Sequence, residues 1–163
     1  MAHTVLDTPV GPLLLVGGDA GLREIRFHAS ETDAAAGGNG GGAEVIAEAA
    51  RQLRAYFAGE LRSFDLPLAP AGTEFQLAVW RALGDIPYGR TESYGGLARR
   101  IGRPRAVRAV GAANGANPLP IVVPCHRVIG GDGSLTGYGG GLPIKQALLE
   151  LEGAGPAARL PLG

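Results

Sequence analysis

The stretch "SYGGLARRIGRPRAVRAVGAAN", Ser93 to Asn114, reads as two short helices joined by a tight turn. Ser93 stands where an N-cap side chain is wanted, immediately before "YGGLARRIG". Pro104 has the fixed φ that suits the opening of the next helix, "PRAVRAVGAAN". The "GR" between them completes the outline of a helix-turn-helix. Apart from its arginines the later helix is built of small residues, Ala106, Val107, Ala109, Val110, Gly111, Ala112 and Ala113. Such a helix packs closely on its neighbours, and with outward arginines it also fits a groove.

The charge around this segment is one-sided. Between Ser93 and Gly131 there is no Asp or Glu, yet Arg99, Arg100, Arg103, Arg105, Arg108 and Arg127 all fall there. The whole chain is neutral, with 15 basic and 15 acidic side chains. The remainder therefore carries the acidic excess. An acid-free arginine segment in a neutral protein points to a polyanionic partner.

Working outward, Thr73 with Gln76 three residues on is a capping-box start for the helix of "EFQLAVWRAL", with Trp80 on its core side. Upstream, "FDLPLAPAG" reads as a short strand running into a linker, which places a domain boundary near Ala71. "HTVLD", "PLLLVGG" and "LREIRF" have strand composition, with a Gly-Asp-Ala-Gly turn before the last. From Glu44 to Ala58, the residues Ile46, Ala49, Ala50, Leu53 and Phe57 recur at helical spacing, and Gly59 suits the stop. "AAAGGNGGG" is a flexible loop by composition; it lacks the Lys and Ser/Thr of a phosphate cradle. The expected organisation is α+β: residues 1–71 as a small antiparallel sheet with a helix, residues 72–163 as a mostly helical domain. A flexible tail is expected after about residue 153.

Composition excludes several classes. No apolar run is long enough to span a bilayer, and the N-terminus lacks the pattern of a secretory signal. One cysteine forms no internal disulfide, and His3, His28 and His126 do not cluster with it at metal-ligand spacing. A reducing, cytoplasmic setting is expected, with no cofactor, no membrane and no protein partner evident, the chain acting as a monomer.

The single cysteine lies in "PLPIVVPCHRVIG", Pro118 to Gly130, beside an imidazole and a guanidinium. A free thiol has a pKa of about 8.5, so a nucleophilic cysteine needs a base or a cation close by. His126 supplies the one and Arg127 the other. Neighbours in an extended strand point to opposite faces, so Cys125 and His126 meet only if the chain bends or a water bridges them. "PIVV" is expected as a buried strand ending at the cysteine, since Pro124 holds Val123 extended.

"NPLPIVVPCHRVIG" followed by "GSLTGYGGGLPIKQALLELEG" closely resembles the active-site region of the O6-alkylguanine-DNA alkyltransferases, the methylated-DNA–protein-cysteine methyltransferases. "GTEFQLAVWRALGDIPYGRTESYGGLARRIGRPRAVRAVGAANGANP" resembles the stretch that precedes it there, so the match runs from about Gly72 to Gly153. The N-terminal part matches only in outline. The resemblance implies a ribonuclease H-like first domain and a winged helix-turn-helix second one. It implies that Cys125 takes the alkyl group, that His126 is a water-mediated base, and that Glu152 orients the histidine. Asn117 would brace the active-site turn. Tyr94 would contact a phosphate and protonate the leaving guanine, and Arg108 would enter the base stack in place of a flipped nucleotide. Carbonyls of Cys125 and Val128 would accept from the guanine amino group. Tyr138 would wall the pocket, and the Gly139 N–H would donate to the guanine oxygen. Relatives often carry Ser or Ala at Gly139, so a slightly roomier pocket is expected.

The implied partner is double-stranded DNA carrying alkylated bases. Arg99, Arg100, Arg103, Arg105, Arg108 and Arg127 would bind it through the minor groove with weak sequence preference. The implied reaction is irreversible and consumes the protein. Two other readings meet the same residues. Pro-Cys also occurs in cytosine methyltransferases, but those need a methyl donor and a βαβ glycine fingerprint that this chain lacks. A non-catalytic winged-helix DNA-binding protein or damage sensor would not need Cys125.

Overall fold

Three strands begin the chain: β1 (Ala2–Leu6), β2 (Leu13–Gly18) and β3 (Gly21–Arg26). They form one antiparallel sheet in the order β1-β2-β3, with Leu6 opposite Leu13 and Leu15 opposite Ile25. Helix α2 (Ala43–Phe57) turns Ile46, Ala49, Ala50, Leu53 and Tyr56 inward. Leu13, Leu15, Leu22, Leu53 and Tyr56 are fully buried, and each such aliphatic side chain contributes about 1.5–3 kcal/mol. Tyr56, not Phe57, takes the last core position of the helix. Gly17 is required where β2 meets α2, because a Cβ there would lie 2.6 Å from Val45.

The computed structural model describes residues 1–36 and 41–154. They divide into two units, Met1–Ala71 and a second starting at Gly72. Of the loop expected at residues 34–42 and the tail expected after about residue 153, positions 37–40 and those past 154 lie outside the described residues.

Two expectations for the first unit change. A short helix, α1 (Glu31–Ala36), takes in Ala34–Ala36, the opening residues of the stretch read as a flexible loop. Ser30 and Asp33 cap it reciprocally: the Asp33 N–H donates to Ser30 Oγ at 3.2 Å, and the Ser30 N–H to Asp33 Oδ2 at 2.8 Å. "FDLPLAPAG" forms only a single bridge, Leu22 to Leu68. Pro67 and Pro70 have no N–H to extend the ladder.

The second unit opens with α3 (Glu74–Leu83), held by the Thr73–Gln76 capping box, whose two bonds are 2.9 and 3.1 Å. Trp80 is buried on it and donates from Nε1 to the Ala113 carbonyl at 2.8 Å, tying α3 to α5 (Val107–Gly115). Between them lie β4 (Glu92–Ser93) and α4 (Tyr94–Arg100), which Ser93 caps by accepting from the Gly96 N–H at 2.9 Å. Helix α5 starts at Val107 and not at Pro104. Residues 103–106 form a turn closed by the Ala106 N–H on the Arg103 carbonyl. Pro at the second position of a β-turn and Pro opening a helix share one φ, so the sequence does not separate them.

The expected "PIVV" strand is absent. Pro118, Pro120 and Pro124 lack ladder donors, and the chain turns at Ile121, whose φ is +75°. A β-branched residue in that region is strained by about 1–3 kcal/mol. The chain then makes a 3-10 turn at Cys125–Arg127 and enters β5 (Val128–Ile129), which pairs in parallel with β4. The last element, α6 (Leu142–Leu151), buries Ile144, Leu148 and Leu149. Among the described residues no helix is long and apolar enough to cross a membrane.

Candidate active site

Asn117 holds the strained turn that leads to the cysteine. Its Nδ2 donates to the Val123 carbonyl at 2.9 Å, and its Oδ1 accepts from the Leu119 N–H at 3.0 Å. Pro124, at φ −81° and ψ 63°, makes an inverse γ-turn closed by the Cys125 N–H on the Val123 carbonyl at 2.8 Å. The bend that a Cys125–His126 partnership demands is thereby built into the backbone.

His126 is fully buried, and its Nε2 lies 2.8 Å from Glu152 Oε2. Arg127 approaches the same carboxylate, Nε to Oε1 at 2.8 Å and Nη2 to Oε2 at 3.0 Å, while Nη1 donates to the Ile86 carbonyl at 2.7 Å. Burial alone would raise the Glu152 carboxyl, but the bonds from His126 and Arg127 outweigh it and hold it at about 2. An ionised carboxylate accepts only, so the Nε2 proton points at Glu152 and the imidazole lone pair is on Nδ1. That Nδ1 is buried and has no hydrogen-bond partner among the described residues. Burial keeps the imidazole pKa below its ordinary value, although Glu152 pulls the other way. The result is a neutral histidine with its basic nitrogen unoccupied.

Burial raises the Cys125 thiol, against hydrogen bonds from Asn117 and Tyr138 and the charge of Lys145. The resting sulfur is therefore a thiol, and a base must take its proton before it can attack. Lys145 has no counterpart among the residues that the sequence singles out. It is fully buried on α6, its Nζ donating to the Val128 carbonyl at 2.6 Å and the Thr136 carbonyl at 3.1 Å. Desolvation lowers it to about 8, with Cys125 opposing. A lysine in a helix ordinarily reads as a solvated face. The available signal is its flank, since Ile144 and Leu148 put position 145 beside the core stripe.

A cavity of about 540 Å³ is lined by Tyr94, Val107, Thr136, Tyr138 and several glycines, among them Gly139. Tyr138 thus lines the cavity and also opposes the rise of the Cys125 thiol. A Cβ at Gly139 would meet nothing within 4 Å, so the space beside it is open. The Val128 carbonyl already accepts from Lys145, which leaves one of its two lone pairs. The Cys125 carbonyl accepts from Asn114 Nδ2 at 3.4 Å.

Arg99, Arg103, Arg105 and Arg108 are exposed. The exposed side of α5 that carries Arg108 is otherwise Val107, Ala109, Ala112 and Gly115, a narrow ridge beside the cavity. Two arginines assigned to the same face are elsewhere. Arg127 serves Glu152 in the interior. Arg100 is held by the buried Glu92, at 2.8 and 3.0 Å, and by the Ala82 carbonyl at 2.7 Å. Each neutralises a buried carboxylate, which would otherwise be uncompensated.

Residues 1–70 match the 6-O-methylguanine DNA methyltransferase ribonuclease-like domain, and residues 74–154 match the DNA binding domain of the same family. The chain belongs to that family. A methylated-DNA–protein-cysteine methyltransferase of Methanosarcina acetivorans is 52% identical over 94% of this chain and 99% of its own length. One from Mycolicibacterium paratuberculosis is also 52% identical, over 98% of this chain and 97% of its own. Among solved structures, Mycobacterium tuberculosis OGT in complex with DNA superposes with a TM-score of 0.83 at 50% identity, covering 94% of this chain and 93% of that one. The expected mixed α+β architecture, sheet first and helices second, agrees with these structures.

Proposed function

We propose that this chain repairs DNA by moving the alkyl group of O6-alkylguanine irreversibly onto Cys125. The observation that carries the reading is the buried Cys125–His126–Glu152 arrangement, next to a cavity flanked by the exposed arginines of α4 and α5. The Methanosarcina and Mycolicibacterium relatives are named as methylated-DNA–protein-cysteine methyltransferases, which supports this reading. The alkylated atom lies inside a duplex, so the nucleotide must leave the stack to reach the cavity. Arg108, on the narrow ridge of α5, fills the gap it leaves, with the ridge in the minor groove and Arg99, Arg103 and Arg105 on phosphates.

The proton bookkeeping closes on this chain's own groups. His126 Nδ1 takes the thiol proton through a bridging water. Sulfur attacks the alkyl carbon, an S–C bond forms and the C–O6 bond breaks, with the electron pair passing into the guanine ring. Tyr94 gives that ring a proton, which lowers the barrier to departure. A thioether has no good leaving group, so each chain acts once. It works as a monomer in the cytoplasm, where a reducing environment keeps the thiol available.

Arg108→Ala tests the flipping step. It should slow transfer from alkylated duplex far more than transfer from free O6-alkylguanine base, because extrusion costs on the order of a few kcal/mol only in the duplex. Single-turnover rates on the two substrates check this. Equal losses on both would remove Arg108 from the flipping step.

A further inference from the structure

Few polar side-chain atoms line the cavity, because Gly111, Gly115, Gly137 and Gly139 supply much of its wall. Two of them meet: the Thr136 hydroxyl donates to the Tyr94 phenol oxygen at 3.0 Å. We propose that Thr136 is a positioning residue for alkyl transfer, orienting the Tyr94 phenol so that its own proton points at the departing base. The proposal rests on the alkyl-transfer function proposed for Cys125 and adds a residue to it.

The contact is fixed from both ends. Tyr94 follows directly on β4, whose Glu92 and Ser93 pair with Val128 and Ile129 of β5. Thr136 is tied to the same β5, because Lys145 Nζ bonds the Thr136 carbonyl and the Val128 carbonyl together, at 3.1 and 2.6 Å. A closed circuit therefore runs from Tyr94 through β4, β5, Lys145 and Thr136 back to Tyr94. Neither hydroxyl drifts without breaking a link, and one of those links is a fully buried ammonium.

The chemical consequence comes from donor counting. A phenol oxygen has one proton to give and accepts from elsewhere. With Thr136 donating to it, the phenol proton is left for the cavity side, where the base sits. As that proton moves to the guanine ring, the S–C bond forms and the C–O6 bond breaks. The negative charge left on the phenol oxygen then faces the Thr136 O–H, and a hydrogen bond to a charged partner is stronger than a neutral one. Thr136 thus contributes more in the transition state than before it, which is the condition for raising the rate.

The test is single-turnover transfer from an O6-methylguanine duplex by Thr136→Val, Thr136→Ser, Tyr94→Phe and the Tyr94→Phe/Thr136→Val double variant. Valine keeps the shape and removes the donor, and should slow transfer about tenfold. Serine restores the hydroxyl and should return the rate to near that of the parent. In the Tyr94→Phe background the valine change should cost nothing further, since the oxygen it serves is gone. Melting temperature and duplex affinity of Thr136→Val should stay at parent values, which separates positioning from folding or binding. A parent-like rate for Thr136→Val overturns the proposal, as do losses that multiply in the double variant. In either case the parent's own transfer leaves the reading of function standing. A parent chain that transfers no alkyl group overturns that reading and the proposal with it.

Discussion

Cys125→Ser is expected to abolish alkyl transfer while leaving affinity for duplex DNA close to that of the parent. The substitution replaces one buried atom on a turn that Asn117 and Pro124 hold independently, so the site should keep its shape. The loss is chemical. His126 is a weak base in this setting, its pKa held down by burial. It is matched to a thiol and not to an alcohol, whose proton is far harder to remove. The exposed arginines lie outside this turn, and Cys125 is only 5% exposed, so binding has no reason to change. Rapid-quench kinetics beside a binding titration separates the two effects. Repair at a comparable rate by the serine variant would exclude cysteine chemistry.

Glu152→Gln should have the next largest effect, on rate and stability together. Loss of the carboxylate frees the tautomer of His126, and general-base assistance is typically worth about 10²–10⁴-fold. It also leaves Arg127 buried without its anion, a change that typically costs about 3–5 kcal/mol. The carboxyl sits at about 2 in the folded chain, against about 4.3 for an unfolded glutamate. With the folded value depressed, its stabilisation is fully present above the unfolded value. It is lost as pH falls through that window towards about 2. His126 acts in the same direction, because the folded state resists the proton that the unfolded chain accepts. The parent should therefore begin to lose stability below about pH 6.5, where an unfolded His126 takes its proton, and lose more below about pH 4, where the glutamine variant should show the shallower loss. Urea melts across acid pH, with single-turnover rates near neutrality, check both halves. Parent-like rates and an unchanged acid profile would remove Glu152 from the site.

Local chemistry was the legible part of this chain. Thr73 with Gln76 and Ser93 with Gly96 cap helices as their spacing suggests, because a cap is satisfied within four residues. The strands of the first unit and the periodic face of α2 were readable for the same reason. Long-range pairing was not. Glu152 lies 26 residues from His126, and no spacing rule joins them; the resemblance to a known family did. Arg100 and Arg127 looked like part of one basic surface, since a sequence does not show which guanidinium turns inward to a buried carboxylate. Lys145 was not singled out for the same reason. The "PIVV" run was misread because apolar β-branched residues ordinarily mark a strand, whereas three prolines and the Asn117 bonds impose a turn here. The α1 cap was available in Ser30 and Asp33, but the neighbouring glycines masked it.

One sulfur, Cys125, should accept one alkyl group and keep it. The chain should be mixed with excess O6-methylguanine duplex, with no methyl donor or metal added, then digested and mapped by mass spectrometry. The expected product is a peptide carrying Cys125 heavier by one methyl in place of one proton. Restored guanine should also stop accumulating at one equivalent per chain. An unmodified Cys125 beside repaired DNA, a methyl group on any other residue, or turnover past one equivalent would contradict a single, lasting transfer to Cys125.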